Sequence, residues 1–278
     1  MEKDIKQVLR EVYYNQSVTY KQIKRIDDID NDELIDFINE EFTIEYKLGT
    51  GDKKLEGMIK AFIRNLPWLE ERMGAHKGLL LSSINILKVV DKIDLEEIMG
   101  KDYQDFIKYI NKPDEIENDL YTYKGHFYDP DLKCSYIKGN VNAYNRFKEH
   151  YNNALNKYKE NNRNDAYKEL AMTLHYLSDL NSPHHAANKI ALKTDHCRFE
   201  KYIDKNLNEF IIKNNEIKNL YDNIFVGSED EIAMKSAIIA KSLYSDAIKD
   251  YHLIAKKTCE NVQYAICIVI KKFLNRVA

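Results

Sequence analysis

Asn164-Asp-Ala-Tyr-Lys-Glu-Leu-Ala-Met-Thr-Leu-His-Tyr-Leu-Ser-Asp-Leu180 carries the reading of the fold. Ala166, Leu170, Leu174 and Leu177 recur at intervals of three or four, so one apolar stripe runs along a helix. His175 and Asp179 stand four apart and share another face, roughly opposite that stripe. Such a face suits either solvent or an inner cleft. The same helical reading holds for His76–Val90, Val141–Glu160, His196–Ile212 and two further runs after Asp230. With only 9 Gly and 4 Pro in 278 residues, the chain lacks the turn residues that a strand-rich fold consumes. The expected fold is all-α, a bundle of roughly seven to ten helices.

Charge and cysteine usage narrow the setting. Lys and Arg number 42 against 45 Asp and Glu, a net charge of -3, which excludes a general polycation that coats nucleic acid but not a local basic groove. The apolar share of 44% excludes wholesale disorder. The longest apolar runs, such as Leu79–Leu81 and Ala265–Ile270, fall far short of the roughly 20 residues that span a bilayer. Met1–Tyr20 mixes charge with Val, Leu and Tyr and lacks the apolar centre of a secretory signal. Cys259 and Cys267 lie eight apart in a helical pattern, about 12 Å along its axis and too far to bridge. Both facts read as a reducing, cytosolic setting. No repeat is visible. Leu48-Gly49-Thr50-Gly51 reads as a turn, and Pro67 ends the helix-like run Lys53–Leu66. The boundary placed there separates a mildly acidic helical extension, residues 1–67, from a main domain, residues 68–278.

Histidine placement points to chemistry. His175/Asp179 and His196/Glu200 are both i, i+4 pairs, each presenting an imidazole and a carboxylate about 6 Å apart along one helix face. Between them lies Asn181-Ser182-Pro183-His184-His185; upstream, His126 opens His126-Phe-Tyr-Asp-Pro-Asp131 and His76 starts an apolar helix. All four prolines, Pro67, Pro113, Pro130 and Pro183, stand near these groups or near Trp68 and Asp114, as if loops were stiffened only where they emerge. A single pair would be an ordinary hydrogen bond on a wet helix face. Two pairs and a His-His loop together favour a metal site, and the imidazole–carboxylate mixture favours zinc.

At this point a family becomes recognisable. His126-Phe-Tyr-Asp-Pro-Asp131, Leu174-His-Tyr-Leu-Ser-Asp179 with Pro183-His-His-Ala-Ala-Asn188, and His196-Cys-Arg-Phe-Glu200 resemble the bacterial zinc-dependent phospholipase C family, which includes the catalytic domain of the alpha-toxin type. The likeness runs from about Trp68 past Tyr202 and carries several implications. Up to three zinc ions sit in a cleft of an all-helical domain. Asp114, His126, His175 and Asp179 serve one ion, and His185, His196 and Glu200 a second. His76 serves a third, with Asp179 shared. His184 matches no ligand and is expected beside one or in solvent; His150 and His252 are expected to be surface histidines. Asp114 is the candidate catalytic residue, as general base, as ligand or as both. Tyr123, Glu115 and Glu71 are the candidate substrate-binding residues.

The departures from the family pattern shape the functional expectation. In the family, an N-terminal Trp freed by processing helps bind the third ion; Trp68 stands at a fitting distance before His76, behind 67 residues that do not read as a signal. Either the extension is removed before Trp68, or the third ion is bound differently or is missing. Glu115 stands where the family often places an aromatic residue, which puts choline selectivity in question. The chain ends at Ala278, so no C-terminal membrane-binding domain is expected. The resemblance implies hydrolysis of a glycerophospholipid to diglyceride and phosphorylated headgroup by metal-activated water. Two alternatives stand beside it. One is a zinc nuclease or nucleotidase acting on nucleic acid; the other is an intracellular enzyme using the same cluster on a biosynthetic phosphoester, the extension then binding a partner or substrate. The missing signal argues for the cytoplasm and the family for secretion.

Overall fold

Long runs poor in helix breakers become the main helices of the computed structural model, which describes residues 74–117, 123–137, 139–189, 194–213, 227–247 and 250–278. Backbone contacts divide the chain into two units, Met1–Glu71 with Glu117–Tyr123 and Arg72–Ile116 with Lys124–Ala278, and every helix described below belongs to the second. The expected extension 1–67, Pro67, Trp68 and Glu71 lie outside the described residues.

In chain order the helices are α1 (Ala75–Ile86), α2 (Leu95–Met99), α3 (Tyr103–Tyr109), α4 (Lys112–Ile116), α5 (Ala143–Lys159), α6 (Arg163–Leu180), α7 (Pro183–Ala186), α8 (His196–Phe210), α9 (Glu229–Ala247) and α10 (Tyr251–Val277). Among the described residues the only strand-like pairing is an isolated antiparallel bridge between Asp129 and Cys134, and the all-α expectation stands. Caps explain several starts. The side-chain oxygen of Asn142 accepts from the Asn145 amide at 2.9 Å, and that of Asp250 from Leu253 at 3.0 Å. Pro183 sits in the first turn of α7, where its missing N–H costs nothing. The run expected to be helical through Val90 narrows to α1 and then widens into a π-helical turn, Leu87–Asp91, that leaves Val89 and Val90 exposed. Charged side chains on that turn are tied elsewhere: Lys88 to Asp94 at 2.7 Å and Asp91 to Lys271 at 2.6 Å.

Helix α6 lies at the centre. A short loop with Asn161 in a left-handed conformation (φ 60°) folds it back against α5 as a helical hairpin. It also packs against α1, α3, α9 and α10. Leu170, Leu174 and Leu177 are fully buried, each contributing about 1.5–3 kcal/mol by leaving water. The C-terminal half of α6 is buried all round, Thr173–Leu180. The face of His175 and Asp179 is therefore an inner one, which settles the choice between solvent and cleft. The close approach of α1 to α8 depends on Gly78, where an added Cβ would meet Leu207 Cδ2.

One buried amide ties three elements together. The Oε1 of Gln263 on α10 accepts from the Ser82 hydroxyl of α1 at 2.5 Å and from the Ile212 amide just beyond α8 at 3.0 Å. Its Nε2 donates to the carbonyls of Phe210 at 3.0 Å and Cys259 at 2.8 Å. Truncation would strand the Ile212 N–H and the Phe210 carbonyl away from water. Gln263→Ala should lower urea unfolding stability by about 2–4 kcal/mol, whereas the surface change Lys157→Gln should stay within about 0.5 kcal/mol.

Candidate metal centre

The i, i+4 spacing on α6 sets His175 and Asp179 one turn apart, and tertiary contacts fix where they point. His175 Nδ1 donates to the carbonyl of Ile110, at the end of α3, at 2.8 Å. Its Nε2 is thereby turned toward Asp179 Oδ2 at 3.3 Å. Asp114, on the short α4 whose first turn holds Pro113, brings Oδ1 to 3.3 Å from the same nitrogen. His126, closing the tight turn Tyr123–His126, places Nδ1 2.8 Å from Asp179 Oδ2, 3.1 Å from His175 Nε2 and 3.7 Å from Asp114 Oδ1. From the first turn of α1, His76 lays its ring 4.2 Å from that of His175 and its Nε2 3.8 Å from Asp179 Oδ1.

The other pair builds a neighbouring group. On α8, His196 Nε2 and Glu200 Oε1 meet at 2.5 Å. His185 on α7 brings its Nε2 to 2.9 Å from His196 Nε2 and 3.1 Å from Glu200 Oε1. Its Nδ1 donates to the His126 carbonyl at 2.9 Å and lies 3.2 Å from Asp179 Oδ1, linking the two groups through Asp179. Phe127 stacks on the His185 ring at 4.5 Å and 11°.

The loop after His126 is latched by its own residues. Asp129 Oδ1 accepts from the amides of Asp131 at 2.9 Å and Leu132 at 3.1 Å, closing a turn through Pro130. Lys241 of α9 reaches both Asp129 and Asp131, at 2.6 and 2.7 Å. The amide of Tyr128 donates to the His185 carbonyl at 3.2 Å, so the His126 loop and α7 hold each other in both directions.

Three sets of ligand-type atoms thus converge: His76, His175 and Asp179; Asp114, His126 and His175; His185, His196 and Glu200. Tetrahedral ligands about 2.0–2.1 Å from a zinc ion lie about 3.3 Å from each other, which matches the 3.1–3.7 Å separations in the second set. The donor chemistry fits as well. His175 and His185 each spend Nδ1–H on a carbonyl, so Nε2 of the neutral ring is a lone pair aimed at carboxylates and at another imidazole nitrogen. Facing lone pairs and anions at such range require a positive charge between them. Every set has one member that reaches solvent: His76 at 22% side-chain exposure, Asp114 at 23% and Glu200 at 26%, against 2% for Asp179.

Without a metal, protons supply that charge. Burial works against ionisation of Asp179, but His175, His185 and His126 outweigh it and hold its carboxyl well below the usual range. Burial also opposes the charged form of His185, yet Asp179 and Glu200 raise it to about 10. His175 is raised in the same way by Asp114 and Asp179. Burial prevails at His76 and His196, which fall to about 4 and so stay neutral near pH 7.

All eight expected ligands meet in the three sets, with His175 serving two of them. Glu115 instead lies on the surface, paired with Lys112 at 2.6 Å. Tyr123 is buried at the start of the turn that ends in His126 and is grouped with the first unit. His150 is not an ordinary surface histidine: it is half-buried, 2.7 Å from Glu169 and stacked on Tyr176 at 5.4 Å. His252 is exposed. His184 is fully buried beside a ligand rather than in solvent. Sequence reading passes over Phe127, Asp129 and Lys241. Pro130 and the acidic pair around it were a signal for the turn; nothing local marks Lys241, 112 residues from Asp129.

Comparison with known proteins places the chain in a family. A family model described as zinc dependent phospholipase C matches residues 82–254, a stretch that holds every ligand above except His76. Phospholipase C of Listeria monocytogenes is 29% identical over 136 residues, 48% of this chain and 39% of that protein. Phospholipase C of Bacillus cereus is 29% identical over 163 residues, 53% of this chain and 56% of its own length. The chain therefore spans 39–56% of the length of these two relatives. The structure of alpha toxin from Clostridium absonum has the same fold, with a TM-score of 0.62 at 24% identity over 74% of this chain and 64% of that one. With more than half of its length matched by the family model, the chain belongs to the zinc-dependent phospholipase C family.

Proposed function

We propose that the chain is a zinc-dependent phosphodiesterase of phospholipase C type, cleaving a glycerophospholipid between the glycerol oxygen and phosphorus to give diglyceride and a phosphorylated headgroup. The observation that supports this reading most directly is the set of eight buried or half-buried ligands, joined through Asp179, in which each group keeps one member open to solvent. A purely structural zinc site fills all four coordination positions with protein atoms, whereas each set here offers three. Zinc bound in such groups supplies Lewis acidity to the phosphoryl oxygens and to the attacking water.

The chain's own residues then have distinct tasks. His175 and His185 are held by carbonyl bonds at Nδ1, so their Nε2 lone pairs would face the ions in fixed directions. Burial opposes ionisation of Asp114, but His175, His126 and His76 keep its carboxyl below the usual range and therefore anionic. At the solvent edge of its group, that carboxylate is placed to accept the proton of the attacking water. Glu115 lies on the surface with its carboxylate already paired to Lys112, which weakens any case for it as the partner of a quaternary ammonium.

Zinc-loaded full chain should release phosphocholine or phosphoethanolamine from mixed micelles, and Asp114→Asn should lower kcat by about 10²–10⁴-fold with little change in KM. Digestion of single-stranded DNA or RNA without lipid cleavage would move the activity to the nuclease alternative. Cleavage of neither substrate would remove the reading. Loading itself has a signature. Asp114 and Asp179 favour the protonated ring of His175, and Asp179 and Glu200 that of His185, in the metal-free chain, whereas zinc takes only neutral imidazole. Calorimetry in buffers of different ionisation enthalpy should therefore show about two protons released per chain filled, and zinc affinity should rise from pH 6 to 8.

A further inference from the structure

His184 and Asp195 each immediately precede a ligand, His185 and His196, yet offer no atom to the three groups. They bind each other: His184 Nε2 lies 2.9 Å from Asp195 Oδ1. The other carboxylate oxygen, Oδ2, accepts from the Tyr251 hydroxyl, on the first residue of α10, at 2.5 Å. The buried His184 ring lies parallel to that of the ligand His196, with centroids 5.1 Å apart at 6°. Tyr244 meets it edge-on at 5.2 Å, and Tyr251 meets Phe199 edge-on at 5.5 Å.

The need for such an arrangement shows in a contrast among the ligands. His175 and His185 are aimed by a bond from Nδ1 to a carbonyl. The Nδ1 of His196 is buried and has no hydrogen-bond partner. Metal-bound histidines ordinarily have that second nitrogen anchored, because the anchor fixes the ring's direction. His196, like His76, has no such anchor at Nδ1. Besides its Nε2 contacts to Glu200 and His185, its ring is flanked edge-on by Phe127 at 5.7 Å and His185 at 4.7 Å and in parallel by His184. Holding His184 still therefore restrains the His196 ring from one side.

We propose that His184, Asp195 and Tyr251 form a positioning strap that orients the His196 ring for the ion held with His185 and Glu200. It rests on the metal-centre reading above. The His184–Asp195 bond joins backbone positions next to two ligands of one ion, 11 residues apart, and Tyr251 anchors that bond to the longest helix. The three are positioning residues; none contacts an ion or substrate.

Metal-free full chain, wild type and variants, would be titrated with zinc and with cobalt(II), following affinity and cobalt absorption. Glu200→Ala identifies the ion concerned by abolishing it. Asp195→Ala should weaken that same ion about 10–100-fold and alter its cobalt spectrum, leaving the others unchanged. Asp195→Asn, which keeps an oxygen acceptor for His184, should recover part of the loss. Tyr251→Phe, a change of one hydroxyl at a helix start, should weaken the ion a few-fold without unfolding the chain. A lower melting temperature with unchanged affinity and spectrum in both Asp195→Ala and Tyr251→Phe would leave a purely structural role and overturn the strap alone. A wild-type chain that holds no ion, or one that Glu200→Ala leaves unaltered, would overturn the metal-centre reading and the strap with it.

Discussion

A carboxylate buried to 2% exposure is costly unless positive charge meets it, and Asp179 is met by four histidines. Oδ2 faces His126 and His175, and Oδ1 faces His185 and His76. The rest of the centre is arranged around that one group. With protons on His175 and His185 the cluster is a buried ion network; with metal ions it is a ligand field. Protons on those imidazoles would have to leave for a metal ion to enter, so loading would be a competition between cations.

Such a centre depends on rigid supports. Helix α6 supplies two ligands from a segment packed on every side, so neither side chain has room for another rotamer. The tight turn that supplies His126 and the one-turn helix α7 that supplies His185 would be weak supports alone. They hold each other by two bonds in opposite directions, one between backbones from Tyr128 N–H to the His185 carbonyl and one from the His185 side chain, Nδ1–H, to the His126 carbonyl. Lys241 then ties the first of them to α9. The stretch His126–Asp131 thus does more than deliver a ligand: its Asp–Pro–Asp turn is the grip by which a helix more than a hundred residues away steadies the site.

How much of this could be read in advance follows from what periodicity encodes. Within one helix the relation between residues is fixed by geometry, so His175 with Asp179 and His196 with Glu200 are legible as pairs from spacing alone. The long helices α5, α6, α8, α9 and α10 are legible for the same reason. What joins one helix to another has no such rule. That His175 serves two groups, that Asp179 divides its oxygens among four rings, and that Tyr251 reaches back to Asp195 are facts of packing. His150 shows the same limit: in a polar stretch it reads as a surface residue, and only the approach of α6 brings Glu169 and Tyr176 against it. The resemblance implies a partition in which Asp179 joins Asp114, His126 and His175, whereas the ligand-type atoms group Asp179 with His76 and His175.

Helix α8 shows how the groups become one device. His196, Glu200 and Asp204 follow at four-residue intervals, and the third does not join a metal group. Asp204 Oδ1 accepts the Ala75 amide at 2.8 Å, satisfying a free N–H at the start of α1 one residue before His76. A single helix face therefore fixes the ion group of His185 at one end and the origin of the helix bearing His76 at the other, while Gly78 lets the two helices come close enough for it. Asp179 couples the groups through charge and α8 couples them through backbone. Because both couplings cross the same pair of groups, a shift in one helix would be felt across all three sets of ligand-type atoms.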